Sequence, residues 1–106
     1  MKAINILDDN YYYIVLNLKT RVLTIKNYKT YTTSEYVLYP SQVKLLLFLS
    51  DNYIKENNDI KEFVRYNNLN SVTGAISRLN KKIKEVKIKN IHRKGYIFPN
   101  KILIDY

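Results

Sequence analysis

The spacing of apolar residues changes twice along this chain, from a period of two to that of a helix and back. From Tyr11 to Tyr39 the chain reads as strands, in which alternate residues would face a core. Tyr11–Leu18 (YYYIVLNL) and Arg21–Asn27 (RVLTIKN) are rich in β-branched and aromatic side chains, which suit a pleated, half-buried surface. Asn17-Leu18-Lys19-Thr20 offers polar turn residues between them. Tyr28–Thr33 and Glu35–Tyr39 continue the pattern, with a turn predicted near Ser34-Glu35. Alternation of this kind predicts a small antiparallel sheet with one face on a core.

From Pro40 the period lengthens. Val43, Leu46, Leu47 and Ile54 recur at helical spacing. Pro40 suits the first helical position, where its missing N–H would be unpaired anyway, and Gln42 can reach back to the helix start. Asp51 and Asn52, then Lys55-Glu56-Asn57-Asn58, end this helix or open a loop. A second helix is predicted to start at Asp59, which forms a capping box with Glu62 three residues on. Ile60, Phe63 and Val64 make its apolar stripe, and Asn67–Asn70 (NNLN) breaks it. So short a connection holds two helices at a steep angle.

The third helix has the clearest pattern. Val72, Ile76, Leu79, Ile83 and Val86 follow one another at spacings of 4, 3, 4 and 3, one stripe facing a core. Its other faces carry Ser71, Thr73, Gly74, Ser77, Arg78, Asn80, Lys81, Lys82 and Lys84. A glycine inside a helix costs about 1 kcal/mol relative to alanine. Gly74 is accounted for if another surface approaches the first turn closely, or if the helix begins loosely. After Val86 the period returns to two. Lys87–Ile91 and Tyr96–Phe98 read as strands flanking a tip of His92-Arg93-Lys94 and Gly95. Gly95 accepts positive φ without steric cost. Tyr96 and Phe98 share a face and are predicted to anchor the return strand in the core, Pro99 ends its pairing, and Lys101–Tyr106 offers a last strand. Helices two and three thus form a helix-turn-helix, and the closing hairpin is a wing.

Length and composition narrow the function classes. A chain of 106 residues is read as one domain, long enough for one modest core without disulfides or metals. There is no cysteine, hence no disulfide, thiolate metal site or cysteine nucleophile. The longest apolar run, Leu45–Leu49, is far too short to span a bilayer. The opening MKAINILDD lacks the apolar core and cleavage site of a signal peptide. A soluble, cytoplasmic chain is expected. His92 is the only histidine and has no second ligand type to join, and Asp8-Asp9 has no special geometry, so no enzyme, metal, cofactor or small-molecule substrate is expected. Asn (13), Lys (14), Ile (13) and Tyr (11) are all encoded by A/T-rich codons, so an A+T-rich gene accounts for their abundance and no single tyrosine or asparagine is read as a nucleic-acid contact on that ground.

Charge is more telling. The net charge is +9, and Arg78–Lys94 contains eight basic residues (Arg78, Lys81, Lys82, Lys84, Lys87, Lys89, Arg93, Lys94) against one acid, Glu85. A positive field concentrated on one helix and one hairpin calls for a polyanionic partner. The major groove is about 12 Å wide and admits one helix. Ser71, Gly74 and Ser77 let helix three sit deep. Arg78 can fork onto guanine, Thr73 can meet a thymine methyl or a phosphate, and Lys81, Lys82 and Lys84 suit phosphates. His92, Arg93 and Lys94 can lie on adjacent backbone or in a narrow minor groove.

The stretches NSVTGAISRLNKKI and IKNIHRKGYIF resemble the C-terminal winged-helix domain of OmpR/PhoB-type response regulators, and most of all the variant in ToxR- and CadC-like regulators. Ile76, Ser77, Arg78, Leu79, Lys81, Lys82 and Ile83 match that family's recognition helix. Ile88, Ile91, Arg93, Lys94, Gly95, Tyr96 and Phe98 match its hairpin, and LYPSQVKLLLFL resembles its first helix. The match covers roughly residues 12–98. It implies an α+β fold: a winged helix-turn-helix with a four-stranded N-terminal antiparallel sheet, three helices and a C-terminal β-hairpin wing. In this sequence the sheet falls at about 11–39, the helices at about 40–86 and the wing at about 87–98. The resemblance also implies sequence-specific binding of double-stranded DNA by a transcriptional regulator, often as two or more copies on repeated half-sites, with RNA polymerase a further candidate partner. Three positions depart from the pattern. Tyr39 stands where the family has a threonine or serine cap, Gln42 replaces glutamate, and Asn80 replaces an arginine. The connection NNLN is short for the family's polymerase-contacting loop. No receiver domain precedes this one and no membrane segment follows, so the chain is read as a stand-alone regulator or the cytoplasmic piece of a membrane-anchored one.

Two other readings compete. KGYIF overlaps the RNP1 pattern of an RNA-recognition motif, but Ile97 is not small, Pro99 interrupts the strand, and RNP1 needs a further helix and strand. A winged-helix protein–protein adaptor could use exposed tyrosines as an interface, but has no need of so much charge on the helix and wing.

Overall fold

A computed structural model describes residues 12–51, 53–64 and 69–106, with only the backbone of 69 and 70. The order of elements is β1 (Tyr12–Asn17), β2 (Val22–Asn27), β3 (Thr32–Val37), α1 (Pro40–Leu49), α2 (Asn57–Val64), α3 (Leu69–Lys82), β4 (Lys89–Ile91), β5 (Gly95–Ile97) and β6 (Leu103–Asp105). This is the α+β winged-helix arrangement: sheet, three helices, C-terminal hairpin.

The first three strands form an antiparallel meander whose inward residues Ile14, Leu16, Leu23 and Ile25 are buried. Both turns are built by the same device. The Asn17 Oδ1 accepts the backbone N–H groups of Lys19 and Thr20 at 2.9 Å each, and Arg21 then takes the left-handed conformation (φ 59). Ten residues later Asn27 Oδ1 accepts from Lys29 at 2.8 Å and Thr30 at 3.2 Å, and Tyr31 has φ 58. NLKTR and NYKTY are thus two copies of one hairpin turn, in which an asparagine side chain replaces a backbone acceptor. The second copy corrects the turn predicted at Ser34-Glu35. Those residues lie in the middle of β3, because the reversal has already been made at Tyr28–Tyr31.

The sheet has four strands, in the order β3-β2-β1-β6. Among the described residues the fourth comes from the C-terminus and runs parallel to β1, pairing Val15 with Leu103 and Asn17 with Asp105. Three of these strands come from the N-terminal part of the chain, and residues 1–11 lie outside the described residues. Ile102 is buried and Ile104 packs on the core, so the final segment closes the sheet edge with apolar side chains as well as with hydrogen bonds.

Pro40 opens α1, and the Gln42 side chain accepts the Tyr39 backbone N–H at 2.9 Å, closing one end of the helix. Leu45, Leu46 and Leu49 are buried. The helix ends at Leu49, so Ile54 is not part of its stripe. α2 begins at Asn57, two residues before the predicted Asp59, which instead sits in the first turn, where a carboxylate faces the positive end of the helix dipole. Ile60 and Val64 are buried; Phe63 is half exposed and stacks on Phe48 with centroids 4.2 Å apart. Of the predicted break NNLN, Asn67 and Asn68 lie outside the described residues, while Leu69 and Asn70 already belong to α3.

α3 buries Val72, Ala75, Ile76 and Leu79 and stops at Lys82, short of the predicted Val86. Ile83 and Val86 remain buried but are carried by non-helical backbone. The chain folds back here because Asn80 acts as a strand partner: its Oδ1 accepts the Ile88 N–H at 2.8 Å and its Nδ2 donates to the Ile88 carbonyl at 3.2 Å. Lys87 Nζ donates to the carbonyls of Asn80 and Ile83, closing the C-terminal end.

Candidate nucleic-acid interface

With Val72, Ile76 and Leu79 turned into the core, α3 leaves Thr73, Ser77, Arg78 and Lys81 exposed, with Ser71, Gly74 and Lys82 half-buried at the margins. The predicted helix residues therefore share one outward surface. An ideal Cβ on Gly74 would stand 3.2 Å from Arg78 Nη1, so the guanidinium lies back along the helix over the glycine. The neighbour of Gly74 is the helix's own arginine, not another surface. Lys82 differs from Lys81. Its ammonium lies 4.8 Å from the Tyr39 ring centroid and donates to Gln42 Oε1 at 3.3 Å, which draws it against the start of α1. A cleft of about 110 Å³ opens there, lined by Tyr39, Ser41, Gln42, Ala75 and Arg78. From the sequence Tyr39 stands out only as a departure at the helix cap, and Ser41 not at all. The available signal was a tyrosine at a helix start where a small polar cap belongs.

In the wing, Ile91 pairs with Gly95 and Lys89 with Ile97, and His92, Arg93 and Lys94 form an exposed turn closed by Lys94 N–H to the Ile91 carbonyl at 2.9 Å. Two tip residues take positive φ, Gly95 (137) and Arg93 (61). The outer edge of β5 is also paired: Tyr96 and Lys55 exchange both backbone hydrogen bonds at 2.8 Å, and Phe98 N–H donates to the Leu49 carbonyl at 2.9 Å. Phe98 is buried as predicted. Tyr96 is half-buried against the core, and Ile97, on the other face, is fully buried. The wing is therefore fixed to the helical layer, with a cleft of about 300 Å³ between its tip and the start of α2, walled by Arg93, Lys94, Glu56 and Asn57.

Glu85, the one acid in the basic stretch, is turned back onto the sheet. The hydroxyls of Ser34 and Tyr36 both donate to it, Tyr36 at 2.5 Å. Burial alone would raise its pKa; the hydrogen bonds from Ser34 and Tyr36, together with backbone hydrogen bonds at Lys84 and Glu85, outweigh burial and lower it. Burial and the bond to Glu85 raise the Tyr36 phenol. Among the described residues no group of three His, Cys, Asp or Glu side chains is placed to hold a metal, and no helix is long and apolar enough to cross a membrane.

No family model matches the chain, and no curated protein matches it. Among solved structures it is similar to the DNA-binding domain of E. coli CadC, with a TM-score of 0.52 and 19% sequence identity over 71% of this chain and 77% of that one. The fold is a winged helix. At that identity the likeness carries the architecture alone. In this winged helix the helix-turn-helix is α2–α3 and the wing is β4–β5, and the basic residues of the chain are concentrated on α3, the wing and the segment joining them.

Proposed function

We propose that this chain is a single-domain, sequence-specific double-stranded DNA-binding transcriptional regulator of the OmpR/PhoB type, nearest to the ToxR/CadC-like branch. α3 enters the major groove and the wing rests on the adjacent minor groove or its phosphates. The observation that carries the reading is the coincidence of charge and shape: the segment with eight basic residues and one acid runs from the second half of α3 through the joining segment to the wing, and its one acid is engaged by the sheet. Within that surface Arg78 reads a base, with Ser71, Thr73, Gly74 and Ser77 at the groove floor. Lys81, Lys82, His92, Arg93 and Lys94 meet the backbone. A second copy on a repeated half-site and RNA polymerase are the further partners this reading brings, and the cytoplasm is where it acts.

The test is selection from random duplex DNA followed by titration of the enriched sequence at several salt concentrations. Enrichment of a motif, with log K falling steeply as log[salt] rises, supports the reading. A flat salt response refutes its electrostatic part. Absence of any enriched motif favours the second reading, a protein–protein adaptor, for which the specific observation is the exposure of Tyr28, Tyr31, Tyr39 and Tyr53.

A further inference from the structure

We infer that the cleft between the start of α1 and the middle of α3 seats one phosphate of the DNA backbone, held by the Lys82 ammonium and the Ser41 hydroxyl, with Tyr39 as the positioning residue for Lys82. The inference rests on the DNA-binding reading and extends the contact surface from α3 and the wing onto α1.

Three observations meet at this cleft, which Lys82 borders through Tyr39 and Gln42 rather than lining it. The first is Tyr39 itself. A helix start favours serine, threonine, aspartate or asparagine, whose short side chains satisfy orphan N–H groups. Tyr39 makes no side-chain cap hydrogen bond, and the residue is 68% exposed, so neither capping nor burial accounts for it. What the ring does touch is the Lys82 ammonium, 4.8 Å from its centroid, an attractive cation–π geometry. The second is Lys82. An ammonium has three donors. Gln42 Oε1 takes one, and no carboxylate lies within salt-bridge distance among the described residues, so the positive charge is held in place and left uncompensated. The third is the cleft. At about 110 Å³ it is on the scale of one oxyanion rather than a nucleobase with its sugar, and Ser41 from α1 and Arg78 from α3 both line it. Arg78 adds positive potential from the α3 side while its guanidinium reaches along the helix over Gly74. With α3 in a major groove, a backbone runs along each flank of the helix, and this cleft lies between α3 and the start of α1.

The experiment uses the selected duplex and a set of copies in which single backbone phosphates are replaced by neutral methylphosphonates. Wild-type protein should lose affinity at one position that Lys82→Gln no longer senses. Lys82→Gln should bind specific and random duplex about three- to tenfold more weakly, with a salt slope smaller by about 0.9, the value for one phosphate, and an unchanged sequence preference. Tyr39→Leu should weaken binding in the wild type and add nothing in the Lys82→Gln background. Ser41→Ala, an exposed site that leaves the fold intact, should weaken binding on its own. Lys26→Gln, on the outward face of the sheet, is the control for bulk charge and should leave the slope unchanged.

If wild-type protein binds duplex with a steep salt slope but no methylphosphonate position couples to Lys82, the seat is refuted and the DNA-binding reading stands. If wild-type protein binds no duplex, the underlying reading fails instead. A loss for Lys82→Gln equal to that for Lys26→Gln also overturns the seat. Inorganic phosphate should compete no better than chloride at matched ionic strength. Stronger competition, abolished by Lys82→Gln, would mark a site for a free anion and overturn the assignment to the DNA backbone.

Discussion

Gly95 and Lys55 meet backbone to backbone: a Cβ on Gly95 would stand 2.0 Å from the Lys55 carbonyl oxygen and 2.7 Å from its carbon. That approach allows the Lys55 strand segment to pair with Tyr96 and ties the wing to the helical layer. Alanine at position 95 would have to break this pairing and also hold φ near 137, outside the range of L side chains. Gly95→Ala is expected to cost about 2–4 kcal/mol, from overpacking and left-handed strain together. Denaturant unfolding measures the loss, and amide exchange at Tyr96 should quicken. A cost below about 1 kcal/mol would mean the wing can detach from Lys55 cheaply.

Gly74 calls for the opposite outcome. A methyl there meets only the far end of the flexible Arg78 side chain, at 3.2 Å, which can shift by a few tenths of an ångström. Gly74→Ala should therefore gain most of the helix propensity difference, up to about 1 kcal/mol, in thermal unfolding. Duplex affinity should nevertheless fall, because the methyl displaces the Arg78 guanidinium and holds the groove off the helix. Stabilisation with undiminished DNA binding would remove Gly74 from the contact surface.

The Glu85 contacts make stability depend on pH in a definite direction. The folded pKa lies below the unfolded value, so the contribution of the ionised carboxylate is fully present above the unfolded pKa and is lost as pH falls through the folded one. Wild-type protein should lose stability below about pH 4.5 more steeply than Glu85→Gln, in melts from pH 7 to pH 3. Tyr36 is the mirror case: its raised pKa contributes stability that is present below the unfolded value and lost as pH rises through the folded one. Identical acid limbs for wild type and Glu85→Gln would show that Ser34 and Tyr36 do not favour the charged carboxylate.

Base reading and backbone contact should separate by mutation. Arg78→Ala is expected to weaken binding of the selected sequence by roughly 1–3 kcal/mol and to relax preference at one base position. Arg93→Ala and Lys94→Ala should weaken specific and random duplex alike and reduce the salt slope by about 0.9 each. An unchanged preference for Arg78→Ala would remove it from the base-reading role. A sharp specificity change at Arg93 or Lys94 would mean that the wing reads bases.

Much of the architecture was legible because local rules and tertiary packing agree. The 4-3-4 spacing of Val72, Ile76, Leu79 and Ile83 found α3, and Gly95 between two short apolar runs found the wing. The errors have one character. Ile83 and Val86 continue the apolar spacing of α3 while leaving the helix, because burial repeats at the same interval on backbone that Asn80 has already redirected to Ile88. Ser34-Glu35 resembles a turn in composition, yet Ser34 is polar because it meets Glu85, 51 residues on. The NLKTR and NYKTY copies carried the correct turn positions in plain view, and only the repeat had to be noticed.

By itself, then, the sequence determined the period of each element, the hairpin turns and the concentration of positive charge on α3 and the wing. All of these follow from side chains acting on near neighbours or from simple summation. Only the tertiary structure decided that the C-terminal strand runs parallel beside β1, that Lys55 becomes the outer partner of the wing, and that Tyr39 supports Lys82. Each of these is a contact between distant parts of the chain. Its partner is selected by the packing of the whole core and leaves no periodic trace in either segment alone.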